Sequence, residues 1–297
     1  GLKNPRRRAA PLSGTARPLS PAARAMLFID LTLNGLITGV FYALMAVGLA
    51  LIFGVLKVVN FAHGEFYMVG SYAYVLLAVP LGLPVWIALP LAVGVGAIVG
   101  WITERTLMRP LYGTFQSWGL MRDEYAIIVT FGLSLLIINL VDKIVGPYPY
   151  RGPAAIAAQR IEIWPILISG HRLFALVFGI AVLAAAVAFI RYSFWGKQVQ
   201  AVAQNRLGAS LAGIDTARAS ALVFALSGAL AALAGALLAP IINTSPDVGI
   251  FPAVKSYVIV VLGGMGSIPG AILGALLLGV LESYGAVYIS FDYRDTY

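Results

Sequence analysis

No cysteine occurs among the 297 residues. Disulfides, thiol nucleophiles and cysteine metal sites are therefore excluded. Histidine is nearly missing too: His63 and His171 are too few for a zinc cluster. Charge is scarce, at 11% of residues against 60% hydrophobic, where a soluble domain carries roughly 25% charged residues. The chain therefore reads as an integral membrane protein. The phosphate-cradling pattern G-x-x-x-x-G-K-[ST] is absent, so this chain is not expected to hydrolyse ATP or to be an enzyme of any kind. No alternating pattern of about ten residues recurs, which argues against a membrane β-barrel. The net charge is +8, with six of the twenty basic residues before residue 25. Beside a membrane such a surplus speaks for topology or anionic lipid rather than nucleic acid.

What the chain does have is long uncharged runs, at 31–56, 66–103, 125–141, 173–190, 219–246 and 256–281. A span needs about 20 apolar residues. The second run is longer than one span, and "VPLGLP" (79–84) divides it, because Pro lacks a donor and Gly is a weak helix former. The fold class expected is all-α: a polytopic transmembrane helix bundle of about 7–8 membrane segments, with broken or re-entrant segments near 60–70 and 263–270. Residues 1–25, rich in Pro, Ala and Arg, read as a disordered basic extension, and 26–297 as one transmembrane domain. Asp215 or Thr216 is placed to cap the helix that Pro240 ends. If the N-terminus and 191–218 lie on one side, five full spans between them cannot be right. Either one is irregular, with 64–79 the candidate, or the N-terminus is on the other side.

Two stretches carry polar chemistry into this apolar chain. "NFAHGE" (60–65) puts Asn60, His63 and Glu65 between two apolar segments. An ionisable group in a membrane costs about 2.5–3.5 kcal/mol on insertion scales and usually faces a bundle interior or cavity. A metalloprotease would need a second His at i+4, and a serine hydrolase a G-x-S-x-G turn; both are missing. Two readings stay open. The three residues satisfy one another at a helix end, or they belong to a translocation path or its gate. "GGMGSIPG" (263–270) holds four glycines and a proline. It is expected to break a membrane segment beside the pore, near the 60–70 motif, with Gly263, Gly264 and Ser267 lining it. The apolar stretch before it is short, so a half-span is expected there.

"NFAHGEFYMVGSY" resembles the signature of permeases of branched-chain amino acid ABC importers. The resemblance is collinear over about 31–295. "ERTLMRPLYG" is similar to that family's Glu-Arg…Arg-Pro loop and "VTFGLSLLIINLV" to its next span. "IRYSFWGKQVQAVAQNRLGASLAGIDTAR" is similar to its coupling loop, "LGGMGSIPGAILGALLLGVLE" to its Gly-rich segment, and "YISFDYRD" to the stretch before its last helix. That last helix is not present before Tyr297, so it is expected to be missing.

The resemblance implies a second related permease, two cytoplasmic ATPases and a periplasmic or lipid-anchored substrate-binding protein as partners in the bacterial inner membrane. ATP is then used by the partner subunits, and no cofactor is bound by this chain. Loop 191–218 becomes the segment that seats on an ATPase, with Gly196, Lys197, Asn205, Arg206, Gly208, Gly213 and Asp215 as coupling residues. Branched-chain amino acids are the implied substrates. Related permeases for urea, short amides or aromatic acids remain the alternative, as does a secondary transporter or channel. The last would need a charged midmembrane site, and membrane charge is expected to be almost absent.

Overall fold

The computed structural model describes residues 20–110, 122–156, 160–163 and 166–288. Its long helices are α1 (Pro21–Leu56), α3 (Val85–Thr103), α4 (Arg122–Val145), α5 (Gly170–Tyr192), α8 (Thr216–Leu238) and α10 (Ile268–Tyr288). These six, with the turn that prolongs α3, are long and apolar enough to cross a membrane. A shorter apolar helix, α9 (Ile250–Gly263), and the short α2 (His63–Ala78), which carries the polar motif, bring the bundle's segments among the described residues to eight. α6 (Phe194–Gln204) and α7 (Arg206–Leu211) join α5 to α8. The bundle is all-α as expected. Beside it lies one antiparallel hairpin, β1 (Arg160–Ile163) with β2 (Ile166–Ser169), in the connection before α5. Residues 1–19 and 289–297, with most of "YISFDYRD", lie outside the described residues, as does the centre of the 104–125 loop.

Local chemistry sets the helix ends. α1 begins at Pro21, a residue suited to the first helical position, so the helix takes the last residues of the stretch read as disordered. It stops at Lys57, whose φ of 59° is left-handed and ends the helical hydrogen bonding. α3 starts after Pro84 and runs on into a π turn, Glu104–Met108. α8 is capped by Asp215, whose Oδ1 accepts from Ala217 N and Arg218 N, both at 3.0 Å. Ser267 Oγ accepts from Gly270 N at the start of α10.

Contacts between helices give the directions. Arg172, at the start of α5, donates to Asn34 Oδ1 of α1, and Gly179 of α5 lies against Val40 and Leu44, so α1 and α5 run parallel. His171 Nε2 lies 2.9 Å from Leu237 O, which puts the start of α5 at the end of α8. The start of α1 therefore lies at the end of the bundle opposite loop 191–218. Of the two solutions to the span count, this is the second: the N-terminal side is the far side. Segment α2 is irregular as expected, but it still completes a crossing.

The irregularity has a plan. His63 Nε2 sits 2.9 Å from Met45 O. Met45 is eleven residues from the end of α1, or about 16 Å of helix. The chain leaves α1, returns inward as the extended linker 57–62, and starts α2 in mid-bundle. α9 repeats this in the other direction. The chain leaves α8, returns inward through 239–249, and starts α9 beside α2: a Cβ on Gly64 would lie 2.5 Å from Gly249 O. α1–α2–α3 and α8–α9–α10 are thus two inverted arms, each a full helix, an extended return, a half-helix and a full helix. Their matching seams are both glycine-lined: Gly35 on Gly279 between α1 and α10, and Gly96 on Gly228 between α3 and α8. Close backbone approach through small residues is what holds helices together in lipid.

Candidate functional site: a midmembrane polar cluster and an end-on docking segment

The amino ends of α2 and α9 meet backbone to backbone at Gly64 and Gly249. Each helix amino end carries roughly half a positive charge, so two facing each other repel. Glu65, in the first turn of α2, puts a carboxylate where it offsets both. Its Oε1 accepts from Ser134 Oγ of α4 at 2.7 Å. The extended linker is also satisfied from neighbouring helices, which nonhelical backbone at membrane depth requires. Asn60 O accepts from Tyr257 OH of α9 at 2.9 Å. Phe61 N donates to Thr130 Oγ1 of α4 at 3.1 Å, and Asn60 Oδ1 accepts from Ala62 N. Because the partner of His63 Nε2 is a carbonyl, that nitrogen is the donor. Gly48 makes room for the ring: its Cβ position lies 3.2 Å from His63 Cε1 and 3.0 Å from Ser227 Oγ.

Asn60 and His63 are 0% exposed and Glu65 4%. All three are buried, but their side chains bond to separate partners rather than to one another; Ser134, Thr130, Tyr257, Gly249 and Ser227 lie around them. No sequence signal ties those to the motif, because they come from helices far along the chain. Hydrogen bonding here is incomplete. Asn60 Nδ2, His63 Nδ1, Glu65 Oε2 and Ser227 Oγ are buried without a partner in the structure. His171 shows the contrast: both its nitrogens are engaged, with Leu237 O and with Ala155 N, and it fastens the connection before α5 to the end of α8.

An apolar groove of about 210 Å³ adjoins the cluster, between Leu49 and Phe53 of α1, Val59 and Phe61 of the linker, and Tyr257 and Val261 of α9. Phe61 and Tyr257, 5.6 Å apart between ring centres, separate it from Asn60. Gly263, Gly264 and Ser267 lie away from the polar cluster. They form the turn between α9 and α10, where Gly264 has φ 91° and Gly263 abuts Gly270. Next to that turn is Gly54, near the end of α1. The break sits at the end of the bundle, and only its Met265 reaches the groove that Phe61 lines. The break at membrane depth is instead 239–249, which the pattern of glycines and prolines around 263–270 overshadowed.

Membrane charge is expected from the sequence to be almost absent, and the structure buries an ion pair. Lys255 of α9 and Glu282 of α10 flank the uncharged run 256–281 and meet as a buried ion pair at 2.9 Å. In the sequence each residue stands at the edge of an uncharged run, which by itself does not mark it as buried.

At the other end, loop 191–218 forms two short capped helices. Ser193 Oγ accepts from Gly196 N, and Asn205 Oδ1 from Gly208 N, each at 2.9 Å. Gly196 is buried against Ile190 O, which folds α6 tightly back on α5. Gly213 has φ 80°, a left-handed turn that favours glycine, and it leads into Asp215. Lys197 is exposed, as are Leu207 and Leu211. Two bare leucines on the short α7 make a surface fit to be covered by a partner protein. Arg206 turns inward instead: its Nη1 donates to Ser220 Oγ of α8 at 3.3 Å. Beneath it the π turn of α3 carries Glu104, 2% exposed. Among the described residues no group of three His, Asp or Glu side chains could hold a metal ion.

The sequence profile of the family described as "Branched-chain amino acid transport system / permease component" matches residues 31–296. The chain is 34% identical over 281 residues to the high-affinity branched-chain amino acid transport system permease protein LivH of Salmonella typhimurium, covering 90% of this chain and 89% of the relative. It is 34% identical over 284 residues to BraD, a permease protein of the same description from Pseudomonas aeruginosa, at the same coverage. LivM of S. typhimurium is 27% identical over 269 residues, 80% of this chain and 60% of that protein. No solved structure matches significantly.

Proposed function

The chain belongs to the family of branched-chain amino acid transport permease components, and from that membership we propose that it forms half of the membrane path of an ATP-driven importer for branched-chain amino acids. The family match over 31–296 carries this reading. The chain is a multi-pass membrane protein, with six span-length helices among the described residues, and acts as a permease. ATP is bound by partner subunits, since the chain has no phosphate-cradling loop of its own. A second related permease completes the path; S. typhimurium has both a LivH and a LivM permease protein. Two cytoplasmic ATPases and a substrate-binding protein complete the assembly, in the bacterial inner membrane.

The path runs by the meeting point of the two half-helices. Asn60, His63 and Glu65 hold hydrogen-bonding capacity in reserve there, which suits transient contact with the charged ends of a zwitterion. The half-helix amino ends already face the Glu65 carboxylate, so the cluster offers a zwitterion hydrogen-bonding groups rather than a net positive field. Loop 191–218 faces the cytoplasm, with Leu207, Leu211 and Lys197 seated on an ATPase and Asn205, Gly208, Gly213 and Asp215 holding their shape. Arg206 passes movement of α7 to α8, and the glycine seam of α8 on α3 carries it inward. The test is uptake in proteoliposomes. The chain reconstituted with its second permease, ATPases and binding protein should accumulate leucine only with ATP inside. ATP-independent exchange by the chain alone would refute the reading and favour a secondary transporter.

A further inference from the structure

We infer that the buried Lys255–Glu282 pair is the latch that positions the half-helix α9, and that transport requires it to part and re-form. This rests on the permease reading above. Three helices meet at the latch. Lys255 Nζ of α9 lies 2.9 Å from Glu282 Oε2 of α10 and donates to Tyr42 OH of α1, also at 2.9 Å. Tyr42 OH in turn donates to Glu282 Oε2 at 2.8 Å, and the ammonium stands 5.2 Å from the Tyr42 ring centre. Lys255 is 7% exposed and Glu282 5%. Tyr42 lies one helical turn from Met45, which accepts from His63, so the latch adjoins the polar cluster along one face of α1.

What the pair holds is an element built to move. α9 spans only Ile250–Gly263. Its amino end abuts α2 through Gly249 on Gly64, with only the Ala253 methyl beside that contact. Its carboxyl end leads into Gly264 and Gly266, at φ 91° and 87°, where glycine allows backbone rotation at little steric cost. Its outer face bears Val254, Val261 and Leu262 exposed. With glycines at both ends, α9 is tied to its neighbours by two polar links: Lys255 to Glu282 and Tyr42, and Tyr257 OH to Asn60 O.

Stability is a poor reason for such a pair. Replacing a buried pair by apolar groups of similar volume is often neutral or stabilising, whereas removing one partner is strongly destabilising. A discrete, directional bond that can be broken and remade suits a two-position element, because packed interfaces are bistable rather than continuously deformable.

The test uses the complete transporter in proteoliposomes, with ATP-driven leucine uptake by the native complex as control; failure of that control would count against the permease reading itself. The variant Tyr42→Phe/Lys255→Met/Glu282→Leu removes the three polar groups of the latch together, so none of them is left facing the place of another. It should assemble at native yield, yet leucine imported per ATP hydrolysed should fall about tenfold, within the range of coupling between two sites. The swap Lys255→Glu/Glu282→Lys should recover much of that ratio. A native ratio in the apolar variant overturns the proposal and leaves the pair structural. A second measurement stands if that variant does not assemble. The chain has no cysteine, and a Cβ on Gly274 of α10 would lie 3.5 Å from Ile259 Cγ2 of α9. With the latch intact, oxidising Ile259→Cys/Gly274→Cys should stop uptake and reduction should restore it. Uptake at the native rate with α9 cross-linked to α10 would overturn the proposal.

Discussion

Gly94 and Gly96 are two residues apart on α3, and the structure gives the same substitution opposite signs at the two positions. A Cβ on Gly96 would lie 2.5 Å from Gly228 O and collide with the Ala232 methyl of α8. Ordinary contacts between carbon atoms begin near 3.5 Å. The two helices would have to part by about 1 Å along a seam that continues to Gly100, which faces Phe224 O. Overpacking of this kind costs about 1–3 kcal/mol, and here the upper half applies because a backbone atom cannot rotate away. The gain in helix propensity recovers up to about 1 kcal/mol, leaving Gly96→Ala about 2 kcal/mol less stable. A Cβ on Gly94 meets nothing within 4 Å, so Gly94→Ala should gain about 0.5–1 kcal/mol. The gap of roughly 3 kcal/mol is about a hundredfold in the folded fraction. Both variants of the detergent-solubilised chain should be titrated with denaturant and scored for the folded, monodisperse species. Equal midpoints, or Gly96→Ala the more stable, would refute the backbone contact between α3 and α8.

Three further outcomes are expected. Glu65→Gln keeps the hydrogen bond from Ser134 but removes the charge that offsets two helix amino ends; leucine uptake should drop at least about tenfold while complex yield stays within about twofold, and a parallel fall in both would mark a structural residue. Arg206→Glu breaks the bond to Ser220 and puts a second carboxylate above Glu104. Membrane insertion should survive and uptake driven by ATP should not, so near-native uptake in this variant would remove Arg206 from the coupling route. Single cysteines in the otherwise cysteine-free chain should separate the two breaks: position 265, 55% exposed, should react with a small thiol reagent in the solubilised chain, and positions 60 and 62, both 0% exposed, should not. Equal reactivity at all three would contradict the placement of the linker in mid-bundle.

The sequence by itself determined which segments enter the membrane. Chain-length apolar runs interrupted by Pro, Gly and charge are local signals, and lipid allows few other ways to satisfy a backbone. α3 and the cap at Asp215 stand where these signals put them, and the 60–65 motif forms the buried cluster it suggested. What the motif touches was not legible, because Ser134, Ser227 and Tyr257 carry no mark in a stretch of ordinary helix. Only the tertiary structure decided that α2 and α9 begin in mid-bundle amino end to amino end. Gly64 and Gly249 are 185 positions apart, and nothing in either neighbourhood encodes the other. The same holds for Lys255 and Glu282. Each reads as a charge at the edge of a span, where it would reach water. They become a buried pair only because α9 starts in mid-bundle, which places Lys255 inside the bundle opposite a carboxylate that needs a partner.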